Sequence, residues 1–143
     1  MSETTAPVAS VAPAARGRRA RIALRTVQVL LALFYVIASA LPKLIANSYA
    51  VDSFDRIGWG ATGMYVIGAL ELAGGIALLI PALQSVAAVA LSALMVGAFV
   101  VQMAVFDGEN AATPLILIVP LALIAWVRRS SIKELLNLVR RRV

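Results

Sequence analysis

Apolar residues run along this chain in long continuous blocks rather than in alternation. Thr26 to Pro42 carries no charge over 17 residues, with Arg25 and Lys43 at its two ends. Ile57 to Phe106 is 50 residues with a single charge, Glu71. Asn110 to Val127 adds 18 uncharged residues, with Trp126 near its end. A helix needs about 20 mostly apolar residues to cross the hydrocarbon core of a bilayer, about 30 Å thick. The 50-residue block, as one helix, would be about 75 Å long at 1.5 Å per residue, so it must fold back. Pro81, followed by Gln84 and Ser85, marks the turn. The pattern predicts an all-α membrane protein, a bundle of four transmembrane helices spanning about 25–45, 61–81, 85–106 and 110–127.

Composition agrees. The chain has 143 residues, 62% hydrophobic and 14% charged, and a mean hydropathy of +0.92. Soluble domains average roughly 45–50% apolar and about 25% charged. A soluble globular enzyme, a disordered chain and a coiled coil are excluded. Transmembrane strands are excluded too, because the runs do not alternate and are rich in Ala and Leu. There is no Cys and no His. Disulfides, thiolate catalysis, the commonest metal ligand and the commonest general base are therefore absent. No metal site and no catalytic set is predicted.

Charge orients the bundle. Arg16, Arg18, Arg19, Arg21 and Arg25 precede it, and Arg128, Arg129, Lys133, Arg140, Arg141 and Arg142 follow it. These are eleven of the thirteen basic residues. Four crossings put both ends on one side, and the positive-inside rule makes that side cytoplasmic. The expected location is the cytoplasmic (inner) membrane, multi-pass. Residues 1–20, made largely of Ala, Pro, Ser, Thr and Arg, read as a disordered basic tail. Residues 21–129 form the transmembrane domain and 130–143 an amphipathic basic C-terminal segment. The net charge of +6 suits anionic lipid better than nucleic acid.

Ala38-Ser39-Ala40 after a basic, apolar stretch has the look of a signal-peptide cleavage site. Cleavage there would leave three spans and break the charge symmetry, so a retained span is expected. Ser131-x-x-Glu134 reads as a capping box. Ile132, Leu135, Leu136 and Val139 then fall on one helical face, which predicts a short helix lying on the inner leaflet, with docking of a cytoplasmic partner as the alternative. The outer loop from Ile45 to Gly60 is long and carries Tyr49, Phe54, Trp59, and Asp52 and Arg56 four apart. It predicts an interfacial helical segment.

Ionisable groups inside a span cost several kcal/mol and are functional candidates by default. Glu71 lies near the middle of the second helix. Gly68, Gly74 and Gly75 share its face and are the expected helix-packing positions. On the first helix Gln28, Tyr35, Ser39 and Lys43 form one stripe. Lys43 sits nearer the outer end than Glu71, by about 5–9 Å at 1.5 Å per residue. A direct ion pair is one possibility. Ser39 or Tyr35 as donor to Glu71 is the other. Ser92 and Gln102 are the polar residues of the third helix. The candidate ligand-binding or coupling residues are thus Glu71, Lys43, Ser39, Tyr35 and Gln102. Interhelical glue is the competing role for all of them.

Several stretches resemble the DoxX-like family of membrane proteins. Ala38-Ser39-Ala40-Leu41-Pro42-Lys43-Leu44 is similar to the end of that family's first helix. The segment from Gly68 to Leu79, with Glu71, Gly74 and Gly75, is similar to its second-helix motif. Leu94 to Ala98 and Trp126-Val127-Arg128-Arg129 fit as well. The resemblance implies a four-helix protein of the inner membrane. It also implies a link to redox complexes, since the family is named from subunits of a thiosulfate:quinone oxidoreductase. Lys43 and Glu71 carry over as family-motif positions. Many relatives carry His late in the third helix, where this chain has Val101-Gln102-Met103. Any redox chemistry must then belong to a bound cofactor or a partner.

The expected function is a non-catalytic membrane subunit or accessory factor of a quinone-linked redox complex. It would bind a hydrophobic ligand, quinone or lipid, or a redox-enzyme partner, between helices 1 and 2. The alternative is a small proton-coupled transporter using Glu71, which would act as a homo-oligomer. A membrane enzyme with Glu71 as base lacks a nucleophile constellation.

Overall fold

The computed structural model describes residues 11–143, with side chains from Pro13 onward. Among these every regular element is helical. The first rod comprises α1 (Val11–Leu33), a π-helical segment (Phe34–Ala40) and α2 (Leu41–Leu44). Then follow α3 (Ser48–Ile57), α4 (Gly60–Ala77), α5 (Gln84–Val105), α6 (Ala112–Val127) and α7 (Ser130–Arg142). Pro13–Leu44, α4 and α5 are long and apolar enough to cross a membrane. α6 has only 16 residues. It supplies a fourth candidate span when taken with α7, from which it is bent by 59°.

The π segment follows from Pro42. Proline has no N–H to donate, and its ring clashes with the carbonyl four residues back. The wider turn opens that region: the Leu41 N–H reaches Val36 O, five residues away. The rod then closes on Ile45 N–H to Leu41 O and Asn47 N–H to Pro42 O. Asn47 caps α3 by accepting from the Tyr49 N–H. α3 ends in a Schellman motif. Gly58 takes φ +85°, Trp59 N–H bonds Phe54 O, and Gly58 N–H bonds Asp55 O. The predicted interfacial segment is this helix. It packs Ala50 and Phe54 on Met64 of α4. Arg56 does not lean on Asp52; its guanidinium lies 4.9 Å from the centre of the Phe106 ring.

The main core joins Leu31, Ala32 and Tyr35 of the first rod to Ala87, Ala88, Leu91 and Met95 of α5, with Leu121 and Ile124 of α6. Leu78, in the turn after α4, is fully buried beside them. Outside, the helices show Leu30, Ile37, Val66, Leu70, Val89, Val96, Ile116 and Val119. An apolar exterior around a small buried stripe is the pattern of a bundle whose solvent is lipid.

One end of the bundle gathers Arg25, the turn at residues 78–83, Gln84 and Ser131. We call it the basic end. The opposite, far end carries Lys43, α3 and Phe106.

Three expectations change. The tail predicted as disordered is helical from Val11 on, because the Ala- and Arg-rich stretch to Arg25 extends the first rod. Residues 1–10 lie outside the described residues. The second span ends at Ala77 instead of near Pro81, which lies within the turn at residues 78–83. The capping box at Ser131 does not form. Ser131 lies inside α7, and its buried Oγ accepts from Gln84 Nε2 at 3.2 Å, so it is not free to cap.

Candidate functional site

Lys43 and Glu71 meet directly. Lys43 Nζ donates to Glu71 Oε2 at 2.8 Å, to Ser39 O at 2.9 Å and to Ser39 Oγ at 3.3 Å. Their side chains are 18% and 5% exposed. Helix geometry closes the depth gap. Every Cα–Cβ bond tilts toward its helix N-terminus. The first rod begins at the basic end, so Lys43 leans back into the bundle, over the Ser39 carbonyl. α4 begins at the far end, so Glu71 leans toward Lys43. Two residues offset along antiparallel helices therefore converge. The π segment assists, since its wider turn keeps residues four and five apart on one side.

Glycine makes the approach possible. A Cβ on Gly68 would sit 3.0 Å from Lys43 Cβ. One on Gly75 would sit 3.2 Å from Tyr35 Cβ and 3.3 Å from the Ala32 carbonyl oxygen. Gly68 and Gly75 flank Glu71 by one turn on either side, so the carboxylate lies in the tightest part of the helix contact. Gly74 is different. Its Cβ would strike Leu91 at 2.7 Å, so it serves the α4–α5 contact rather than the face of Glu71.

Tyr35 is fully buried. Its hydroxyl bonds to none of the described residues, so Ser39, and not Tyr35, shares Lys43 with Glu71. An unmade hydrogen bond at a buried polar group costs about 1–3 kcal/mol. Tyr35→Phe is therefore expected to raise the thermal midpoint of the delipidated, ligand-free protein in detergent. A lowered midpoint would mean that the hydroxyl has a partner there.

Gln102 is not brought to this pair. It sits in the last turn of α5, half-buried, where its carbonyl accepts from Phe106 and Gly108. Ser92 bonds back to Ala88 O within its own helix.

A second polar centre, not expected from the sequence, lies at the basic end. Gln28 Nε2 donates to Leu78 O at 3.2 Å and to Gln84 Oε1 at 2.7 Å. Gln84 Nε2 continues to Ser131 Oγ, and Ser85 Oγ donates to Ala125 O at 3.0 Å. Arg25 reaches Leu79 O at 3.4 Å and 3.5 Å. The carbonyls just past α4 have no partners along their own helix. Side chains of the first rod supply them, and a cation there also suits the helix dipole. Gln84 and Ser85 had a sufficient local reading as turn residues, and Ser131 as a cap. A further hint lay in Gln28, a buried amide that needs partners.

The family model of the DoxX-like family matches residues 26–125. The chain belongs to the DoxX-like family. The matched region of this DoxX-like protein contains Gln28, Tyr35, Ser39, Lys43, Glu71 and Gln84, and stops short of α7. No curated protein matches the chain, and no solved structure does.

Proposed function

We propose that this DoxX-like protein crosses the cytoplasmic membrane four times, with both termini inside. We further propose that it is a non-catalytic membrane subunit or accessory factor of a quinone-linked redox complex. The observation that carries this reading is the fully buried Tyr35 hydroxyl, which has no partner among the described residues and lies on the helix face that also holds the Lys43–Glu71 pair. A bundle core ordinarily satisfies such a group. A hydrophobic ligand with a carbonyl oxygen, such as a quinone, is the acceptor we assign to it. The ammonium of Lys43 already meets three acceptors, so its part is to hold Glu71 and the two helices in register. The close contact at Gly68 and Gly75 leaves little room between the rods. The ligand would enter from the lipid side by a small separation of the helices.

The test is native mass spectrometry of the protein extracted with its own lipids. A retained quinone-sized mass or a stoichiometric enzyme partner is expected, lost in Tyr35→Phe while the bundle stays folded. A bare chain that binds neither would overturn the reading. One observation favours a second reading, a proton-coupled transporter: the helix is interrupted by a π segment beside a buried carboxylate, and such discontinuities often lie at functional sites. A bare homo-oligomer whose proton flux in vesicles is abolished by Glu71→Gln would support it.

A further inference from the structure

The bend between α6 and α7 carries features that the Lys43–Glu71 site does not use. The apolar run of α6 ends at Trp126-Val127, and Arg128, Arg129 and Ser130 follow at once. An open cleft of about 370 Å³ lies there, lined by Trp126, Val127, Arg129 and Ser130. Trp126 is two-thirds exposed, and the Arg129 guanidinium stands 5.2 Å from the centre of its ring. Arg129 makes no ion pair among the described residues. Arg128 has a buried Nε–H with no acceptor there. α7 is held in place behind the cleft by the bond from Gln84 to Ser131.

We infer that this cleft is a binding site for one anionic phospholipid. The occupant follows from chemistry. The lining sets a guanidinium over a flat apolar ring, so the ligand pairs a phosphate with an acyl chain. The cleft lies where the apolar run stops, which is the headgroup level of a bilayer. From Arg128 to Val143 six basic residues face one acid, Glu134. Trp126 against an arginine offers the amphipathic surface that interfacial tryptophans provide. Beyond the bend, α7 leaves Leu136 and Val139 exposed on the face that Ile132 and Leu135 turn toward the bundle. That face continues the acyl level along the membrane surface. The site lies beyond residue 125, outside the family match. It rests on membrane embedding alone and stands apart from the proposal for Tyr35.

A Trp59→Phe background leaves Trp126 as the single tryptophan. The protein is placed in phosphatidylcholine nanodiscs with increasing brominated phosphatidylglycerol, or with brominated phosphatidylcholine at matched fractions. Saturable quenching of Trp126 that favours phosphatidylglycerol is expected. Arg129→Gln should weaken that preference by about fivefold, the share of one cation near a charged surface. Replacing Arg140, Arg141 and Arg142 together by Gln should leave it in place. Equal quenching by the two lipids would overturn the proposal. So would a preference unchanged by Arg129→Gln, or one lost only with the three terminal arginines, which would mark diffuse attraction. Saturable binding of inorganic phosphate in phosphatidylcholine nanodiscs, with no preference for phosphatidylglycerol in the quenching, would identify a free-phosphate site and would also overturn it.

Discussion

Replacing Lys43 by Met is expected to destabilise the bundle by about 3–5 kcal/mol, the usual cost of leaving one member of a buried ion pair alone. Glu71 is only 4% exposed, and its partner at 2.8 Å disappears. In hydrocarbon no water replaces that partner. Glu71→Gln should cost clearly less. The amide oxygen can still accept from Lys43, and the lysine stem is long enough to carry its charge toward the far end. The two single variants are thus unequal, with Lys43→Met the worse. Lys43→Met combined with Glu71→Met should recover most of the loss, since apolar replacement of a whole buried pair is often neutral or better. Denaturant titration in mixed micelles measures all three. If the double variant is as unstable as Lys43→Met alone, the pair is not the source of the effect, and the stem of Lys43 packed on Gly68 is.

The partners of Lys43 show where a sequence stops being readable. The spans were legible because hydrocarbon imposes one demand, about 20 apolar residues per crossing, and hydropathy records it directly. Glu71 stood out by the same logic, and the glycines at 68 and 75 told which way it faces. Whether Lys43 would reach it depended on what Pro42 does to the rod. A proline can kink a helix, end it or open a π turn, and only the surrounding packing selects among these. The direction of the side chains was available in principle, because residues lean toward the N-terminus of their own helix, so those of antiparallel helices lean in opposite directions. The stretch from Val11 to Ala20 misled for a different reason. Its composition resembles a disordered segment, yet Ala and Arg are also strong helix formers, and here they extend a helix already nucleated within the bundle. Gly74 misled because adjacent residues on a helix point about 100° apart, so one of a glycine pair faces a different neighbour.

Gln84→Leu is expected to release α7 from the bundle. Gln84 is the middle of a buried relay, accepting from Gln28 at 2.7 Å and donating to Ser131 at 3.2 Å. Leucine fits the volume but removes both bonds and leaves the Ser131 hydroxyl in a buried position without a donor. Each stranded group costs about 1–3 kcal/mol, and α7 can escape that cost by moving away. Only the half-buried Ile132 and Leu135 otherwise tie this helix down. Its remaining apolar residues, Leu136, Leu138 and Val139, are exposed and gain little from staying docked. The prediction is therefore faster amide hydrogen exchange across residues 132–139 in Gln84→Leu, with α5 and α6 protected as before. Ser131→Ala should act in the same direction but more weakly, because Gln84 keeps its bond from Gln28. Ser85→Ala provides the contrast. It removes a hydrogen bond to Ala125 O between α5 and α6 and should leave α7 exchange unchanged. If α7 exchanges at the same rate in all four proteins, packing of Ile132 and Leu135 holds it. The relay would then serve only to close the end of α4, where Gln28 and Arg25 already satisfy the carbonyls of Leu78 and Leu79.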